Sequence, residues 1–116
     1  MTNRTSPPGL PSAPVDLVAV AVGGWQVILA WTECGAGAGG LGFRIERAYG
    51  QGPSGKFRRI GRVGPHVAAF RDGIVDPRTT YRYRVLAWSG AGDSPPSGVV
   101  EVTTPRGETE PPADGD

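Results

Sequence analysis

For bond-making chemistry this 116-residue chain offers one histidine, one cysteine and a scatter of acids. His66 lies in a Gly64-Pro65-His66 turn, with no second group placed by sequence to share a proton with it. Cys34 has no second cysteine and only that distant histidine, so neither a zinc site nor a Cys/His nucleophile is supported. It reads as a small residue at a strand end. Asp72, Asp76 and Asp93 fall in turns, where aspartate commonly caps backbone groups, and paired-carboxylate hydrolysis needs a cleft to work in. The glycine-rich run from Cys34 to Gly42 lacks the Lys-Ser/Thr that closes a phosphate loop, and a strand follows it where a helix should start. The residues therefore predict no catalytic group, no metal and no cofactor.

The elements that would position any site are strands. Val75-Asp76-Pro77-Arg78 leads into Tyr81-Arg82-Tyr83-Arg84-Val85-Leu86-Ala87, in which Tyr81, Tyr83, Val85 and Ala87 share one face. Period-two alternation of this kind marks a strand with one face in a core and the other largely in water. Six further runs read as strands, Lys56–Val63 with poor alternation: Pro14–Val22, Trp25–Trp31, Gly42–Tyr49, Lys56–Val63, Val67–Asp72 and Gly98–Pro105. Phe57 and Ile60 have opposite parity, which predicts a bulge, a short edge strand or both, and the arginines there suit an edge. Nineteen glycines and twelve prolines punctuate these runs, and no window carries helical periodicity. The length suits one domain.

Residues 1–13 are proline-rich and read as a disordered lead, residues 14–105 as the domain, and residues 106–116 as an acidic disordered tail. The body carries ten Lys/Arg against seven Asp/Glu, a mildly basic balance that makes nucleic acid an unfavoured partner. A single cysteine forbids an intrachain disulfide, so packing alone must hold the core. Leu17, Val27, Leu29, Trp31, Phe43, Ile45, Phe70, Val75, Tyr81, Tyr83, Val85 and Val102 are its expected members, with Trp25 near its wet end. The N-terminus carries no signal peptide or membrane anchor, so no membrane insertion is expected.

In order and spacing the chain resembles a fibronectin type III domain, in its bacterial form, over roughly Pro14 to Pro105. The resemblance rests on Pro14 and Leu17, Trp31, Phe43-x-Ile45, Val75-x-Pro77 before Tyr81, Tyr83-x-Val85-x-Ala87, Gly92-x-Ser94-x-x-Ser97 and Thr103-Thr104-Pro105. It implies an all-β, immunoglobulin-like, seven-stranded Greek-key sandwich, with strands one, two and five in one sheet and three, four, six and seven in the other. It also implies that the Tyr81 hydroxyl bonds backbone near Val75 to Pro77. Two positions depart from the family: Arg78 stands where glycine is frequent, and Trp88 where a small polar residue is usual. The cell-adhesion triplet Arg-Gly-Asp is absent from the loop Gly90-Ala91-Gly92-Asp93-Ser94.

Under that arrangement Arg44, Glu46, Arg82, Arg84 and Trp88, with Leu86, face outward on adjacent strands and form the candidate binding face. Arginine beside an exposed tryptophan stacks on a sugar ring or holds a carboxylate or phosphate. The plainer reading is a solvated face with a cross-strand Arg–Glu pair worth about 0.2–1 kcal/mol. The expected function is a non-catalytic protein-interaction or spacer module, a monomer, in an exported or cell-surface bacterial protein, with neighbouring domains or a protein as partners. Two alternatives stand beside it: an accessory domain that binds polysaccharide, and a stand-alone decoration protein docking on a large assembly such as a phage particle.

Overall fold

The computed structural model describes residues 10–34, 40–50 and 56–107; most of the expected lead and tail, and most of the glycine-rich run, lie outside them. The described residues form eight strands. They are β1 (Val15–Ala21), β2 (Val27–Thr32), β3 (Gly40–Tyr49), β4 (Arg58–Val63), β5 (Ala69–Asp72), β6 (Thr80–Ser89), β7 (Gly92–Asp93) and β8 (Val100–Thr103). One sheet has the order β1-β2-β5; the other runs β4-β3-β6, with β7 and β8 both on the far side of β6. All pairings are antiparallel. This is the expected two-sheet sandwich with the expected division of strands.

The strand count is the correction: eight where seven were expected. The segment read as a turn from Ser89 to Pro96 pairs Gly92 and Asp93 with the end of β6 before the chain breaks away. Pro95 and Pro96 have no N–H to give a ladder, so regular pairing stops there. Serine hydroxyls replace it. The Ala87 N–H donates to Ser94 Oγ at 2.9 Å and the Val85 N–H to Ser97 Oγ at 3.0 Å. In return the Ser94 and Ser97 N–H groups donate to the Ala87 and Val85 carbonyls at 2.7 and 2.8 Å. Both serines are buried, and each hydroxyl passes its own proton to a carbonyl, of Pro95 or Gly98.

Inward parity sets the core. Leu17, Val27, Leu29, Trp31, Phe43, Ile45, Val75, Tyr81, Tyr83 and Val85 are buried, joined by Ala87. Trp31 meets Phe43 edge-on across the two sheets, ring centroids 5.5 Å apart. Phe70 and Val102 are only half-buried, because β5 and β8 lie at sheet edges. Trp25 is exposed and precedes β2 instead of opening it. β4 is an edge strand with its bulge at Ile60, where the register shifts between the Ile45 and Glu46 pairings.

The corner before β6 is built as the resemblance implies. The Asp76 N–H donates to the Tyr81 hydroxyl at 2.7 Å, and Tyr81 is fully buried. Tyr81→Phe is expected to destabilise by about 0.5–1.5 kcal/mol, the net worth of one hydrogen bond. A urea-denaturation midpoint equal to that of the parent chain would remove the corner from the account. Arg78 keeps the turn by adopting a left-handed backbone, φ 54°. That conformation costs a non-glycine residue about 1–2 kcal/mol, offset by the roughly 0.5–1 kcal/mol that glycine loses in ordering. Arg78→Gly is therefore expected to raise stability by about 0.5–1 kcal/mol, with a destabilised variant as the contrary result.

Candidate functional site

The five residues of the candidate face lie on the outer side of β3 and β6, where Glu46 pairs with Arg84 and Arg44 with Leu86. They divide into two groups. In the first, the Arg44 guanidinium carbon sits 4.6 Å from the centroid of the Trp88 ring while Nη1 bonds Asp93 at 2.6 Å. In the second, Arg84 Nε bonds Glu46 at 2.7 Å, and Arg84 and Arg82 stack on Phe57 at 4.2 and 5.2 Å.

Two expectations need correction. Arg82 was expected to face solvent but is only 7% exposed. Its parity is outward, yet Phe57 covers it and its Nε donates to the Gly50 carbonyl at 3.2 Å. Trp88 was expected to be exposed but is half-buried, with Arg44 lying over its ring. The cations of this face are therefore already engaged with carboxylates or rings within the chain.

His66 is open to solvent, its Nδ1 3.3 Å from Glu33. Its backbone is left-handed, φ 67°. Cys34, beside Glu33, is half-buried. Among the described residues no three of His, Cys, Asp and Glu are grouped to hold a metal ion.

A polar cluster absent from the sequence reading lies at the end of the core. Asp72, 3% exposed, accepts the Tyr83 hydroxyl at 2.7 Å and Arg47 Nη1 at 2.9 Å, and its other oxygen takes the Ile74 N–H at 3.1 Å. Arg47 Nη1 also donates to the Ile74 carbonyl at 2.9 Å. Arg47 and Tyr83 stand on one sheet and Asp72 on the other, so the cluster ties the two layers together. The signal was present: Arg47 shares the parity of Phe43 and Ile45, and a charge on an inward face needs a partner.

The cluster has a pH signature. Burial opposes the Arg47 charge, but the hydrogen bond and charge of Asp72 outweigh it and raise its pKa. Burial pushes the Tyr83 hydroxyl far above the ordinary phenol range, reinforced by its hydrogen bond to Asp72 and that residue's charge; burial raises Tyr81 as well. Both hydroxyls stay protonated in the folded state after the unfolded chain has begun to release its protons near pH 10. This contribution is whole below about pH 10 and is lost above it, for Tyr83 at up to about 1.4 kcal/mol per pH unit. Thermal midpoints should fall steeply above about pH 10, with a shallower fall in Tyr83→Phe. An identical slope in that variant would exclude Tyr83 as a source.

No family model and no curated protein matches the chain. Solved structures do. The fibronectin type-III domain of human fibronectin type III domain containing protein 3 is 23% identical, with 96% of this chain and 100% of that one covered at a TM-score of 0.71. The chain has the fibronectin type III fold. A structure described as a myokine is 25% identical, covering 83% of this chain and 99% of that one at a TM-score of 0.65. The FN1-FN3 domains of chicken CNTN1 give 19% identity, 83% coverage of this chain and a TM-score of 0.72. There the fibronectin type III fold stands in series with others, and this chain spans about a third of that structure, 32%.

Proposed function

We propose that the chain is a non-catalytic spacer and interaction module that holds its neighbours apart in an exported or surface polypeptide of bacterial type. One observation carries the spacing role: residues 10–107 enter at one end of the sandwich and leave at the other. The incoming residue Leu10 packs on Gly92, where an added Cβ would lie 3.3 Å from Leu10 Cδ2, and Gly92 pairs with Ser89 at the end of β6. The outgoing segment passes Thr104, whose N–H bonds the Thr79 carbonyl at the start of β6. It then folds over the turn after β1, where a Cβ on Gly107 would lie 2.8 Å from Trp25 Nε1. The length of β6, ten residues, separates the two points by about 30 Å.

The exported, bacterial context draws on the resemblance of Gly42-Phe43-Arg44-Ile45-Glu46-Arg47 and Thr79-Thr80-Tyr81-Arg82-Tyr83-Arg84-Val85 to bacterial fibronectin type III domains. Polysaccharide binding through Trp88 draws no support from its geometry, since Arg44 covers that ring.

The test is a replacement in the polypeptide that carries this chain. Exchanging residues 10–107 for an unrelated sandwich of equal length should preserve the spacing function, and exchanging them for a flexible Gly/Ser linker should abolish it. Full function with the linker, or a turnover that vanishes with His66→Ala or Cys34→Ser, would overturn the reading.

A further inference from the structure

β4 places arginine directly opposite arginine: Arg58 faces Arg47, and Arg62 faces Arg44. Like charges in that relation destabilise a sheet unless something neutralises them. Arg47 and Arg44 have Asp72 and Asp93. Among the described residues Lys56, Arg58, Arg59 and Arg62 form no ion pair. Where β3 ends and β4 begins lies an open concavity of about 490 Å³, lined by Arg47, Tyr49, Lys56, Arg58, Arg59 and Ile60. Among the described residues no acid lines it, and the sequence Gln51-Gly52-Pro53-Ser54-Gly55 that connects the two strands contains none. At its wall Tyr49 is 59% exposed, its ring held by Tyr81 at 5.2 Å and by the Arg47 guanidinium at 5.5 Å.

We propose that this groove binds an acidic polysaccharide, the sugar ring lying on Tyr49 and its sulfate or carboxylate groups on Lys56, Arg58 and Arg59. The proposal gives a partner to the interaction role above, on a different part of the sheet from Trp88. Arginines that merely guard a strand edge need neither a concavity nor an open aromatic ring beside them. A pyranose has an apolar face that suits the ring of Tyr49, while its anionic substituents reach the flanking cations. The three cations span only about 10 Å along the chain. A nucleic-acid site of ordinary salt-sensitive affinity neutralises some 6–10 phosphates, more than this groove can meet.

The test is calorimetric titration of the whole chain with dextran sulfate, beside neutral dextran of equal length and oligothymidylate of equal total charge. Dextran sulfate should bind and neutral dextran should not. Neutralising three charges predicts roughly 20-fold weaker binding on going from about 50 to 200 mM salt. Lys56→Ser/Arg58→Ser should lose at least about tenfold in affinity and flatten that salt dependence. Tyr49→Ala should lose affinity with the salt dependence kept, and Trp88→Ala should bind as the parent does. Matching thermal midpoints would show that the groove variants are folded, and a reverse-charge variant, Arg59→Glu, provides an independent loss. Absence of binding at about 50 mM salt, tighter binding of oligothymidylate, or loss only in Trp88→Ala would each overturn the proposal. Its failure leaves the spacing role untouched, because the domain-replacement result does not depend on the groove.

Discussion

Asp72→Ala is expected to destabilise the fold by about 3 kcal/mol, the low end of the 3–5 kcal/mol for stripping one partner from a buried ion pair. The low end applies because Arg47 keeps the Ile74 carbonyl and is 12% exposed. The loss is nonetheless large. One carboxylate serves a guanidinium, a phenol and a backbone N–H, and all three are left in a site that water reaches poorly. For a domain of this size the thermal midpoint should drop by about 12–20 °C. The double variant Arg47→Met/Asp72→Leu separates charge from packing, since well-packed apolar replacements of a buried pair are often neutral. It should recover most of the loss. A single-variant cost below about 1 kcal/mol would show that the pair is effectively solvated.

The second large effect is expected from Ser94→Ala/Ser97→Ala, at about 2–5 kcal/mol. Each hydroxyl is the acceptor for a buried β6 N–H, and an orphaned buried donor costs about 1–3 kcal/mol. Amide exchange at Val85 and Ala87 should accelerate selectively, while Ile45, paired with Val85 from the other side, stays protected. Equal protection at Val85 and Ala87 in the variant, or a cost under about 1 kcal/mol, would assign the clasp to the backbone bonds alone.

Alternation along Tyr81 to Ala87 and Val27 to Trp31 made the core legible from sequence, because a two-residue period has one structural meaning when β-branched and aromatic residues carry it. The division of strands between sheets came from family likeness, since parity says which face is dry but not which strand is next. Of the Arg47–Asp72–Tyr83 cluster, parity marked Arg47 as an inward charge in need of a partner, but not which partner it would find. Its members lie 25 and 11 residues apart, and only folding brings a strand end of one sheet over the inward face of the other. Arg82 misled for the opposite reason: parity put it outside correctly, but the covering ring of Phe57 comes from the chain ahead of β4. The groove beside Tyr49 depends on cross-strand register, and the bulge at Ile60 sets which arginines of β4 stand opposite β3.

Because the polypeptide arrives and departs at opposite poles, any tension in it runs parallel to the strands. β8 is then dragged lengthwise along β6, so the ladder that pairs Val100–Thr103 with Tyr83–Thr80 shares the load as a unit instead of parting bond by bond like a zip. Ahead of these four residues Thr104 donates to the Thr79 carbonyl and the Pro105 carbonyl accepts the Arg78 N–H, and behind them comes the proline-broken segment. Stretched end to end, the molecule should release its final strand first.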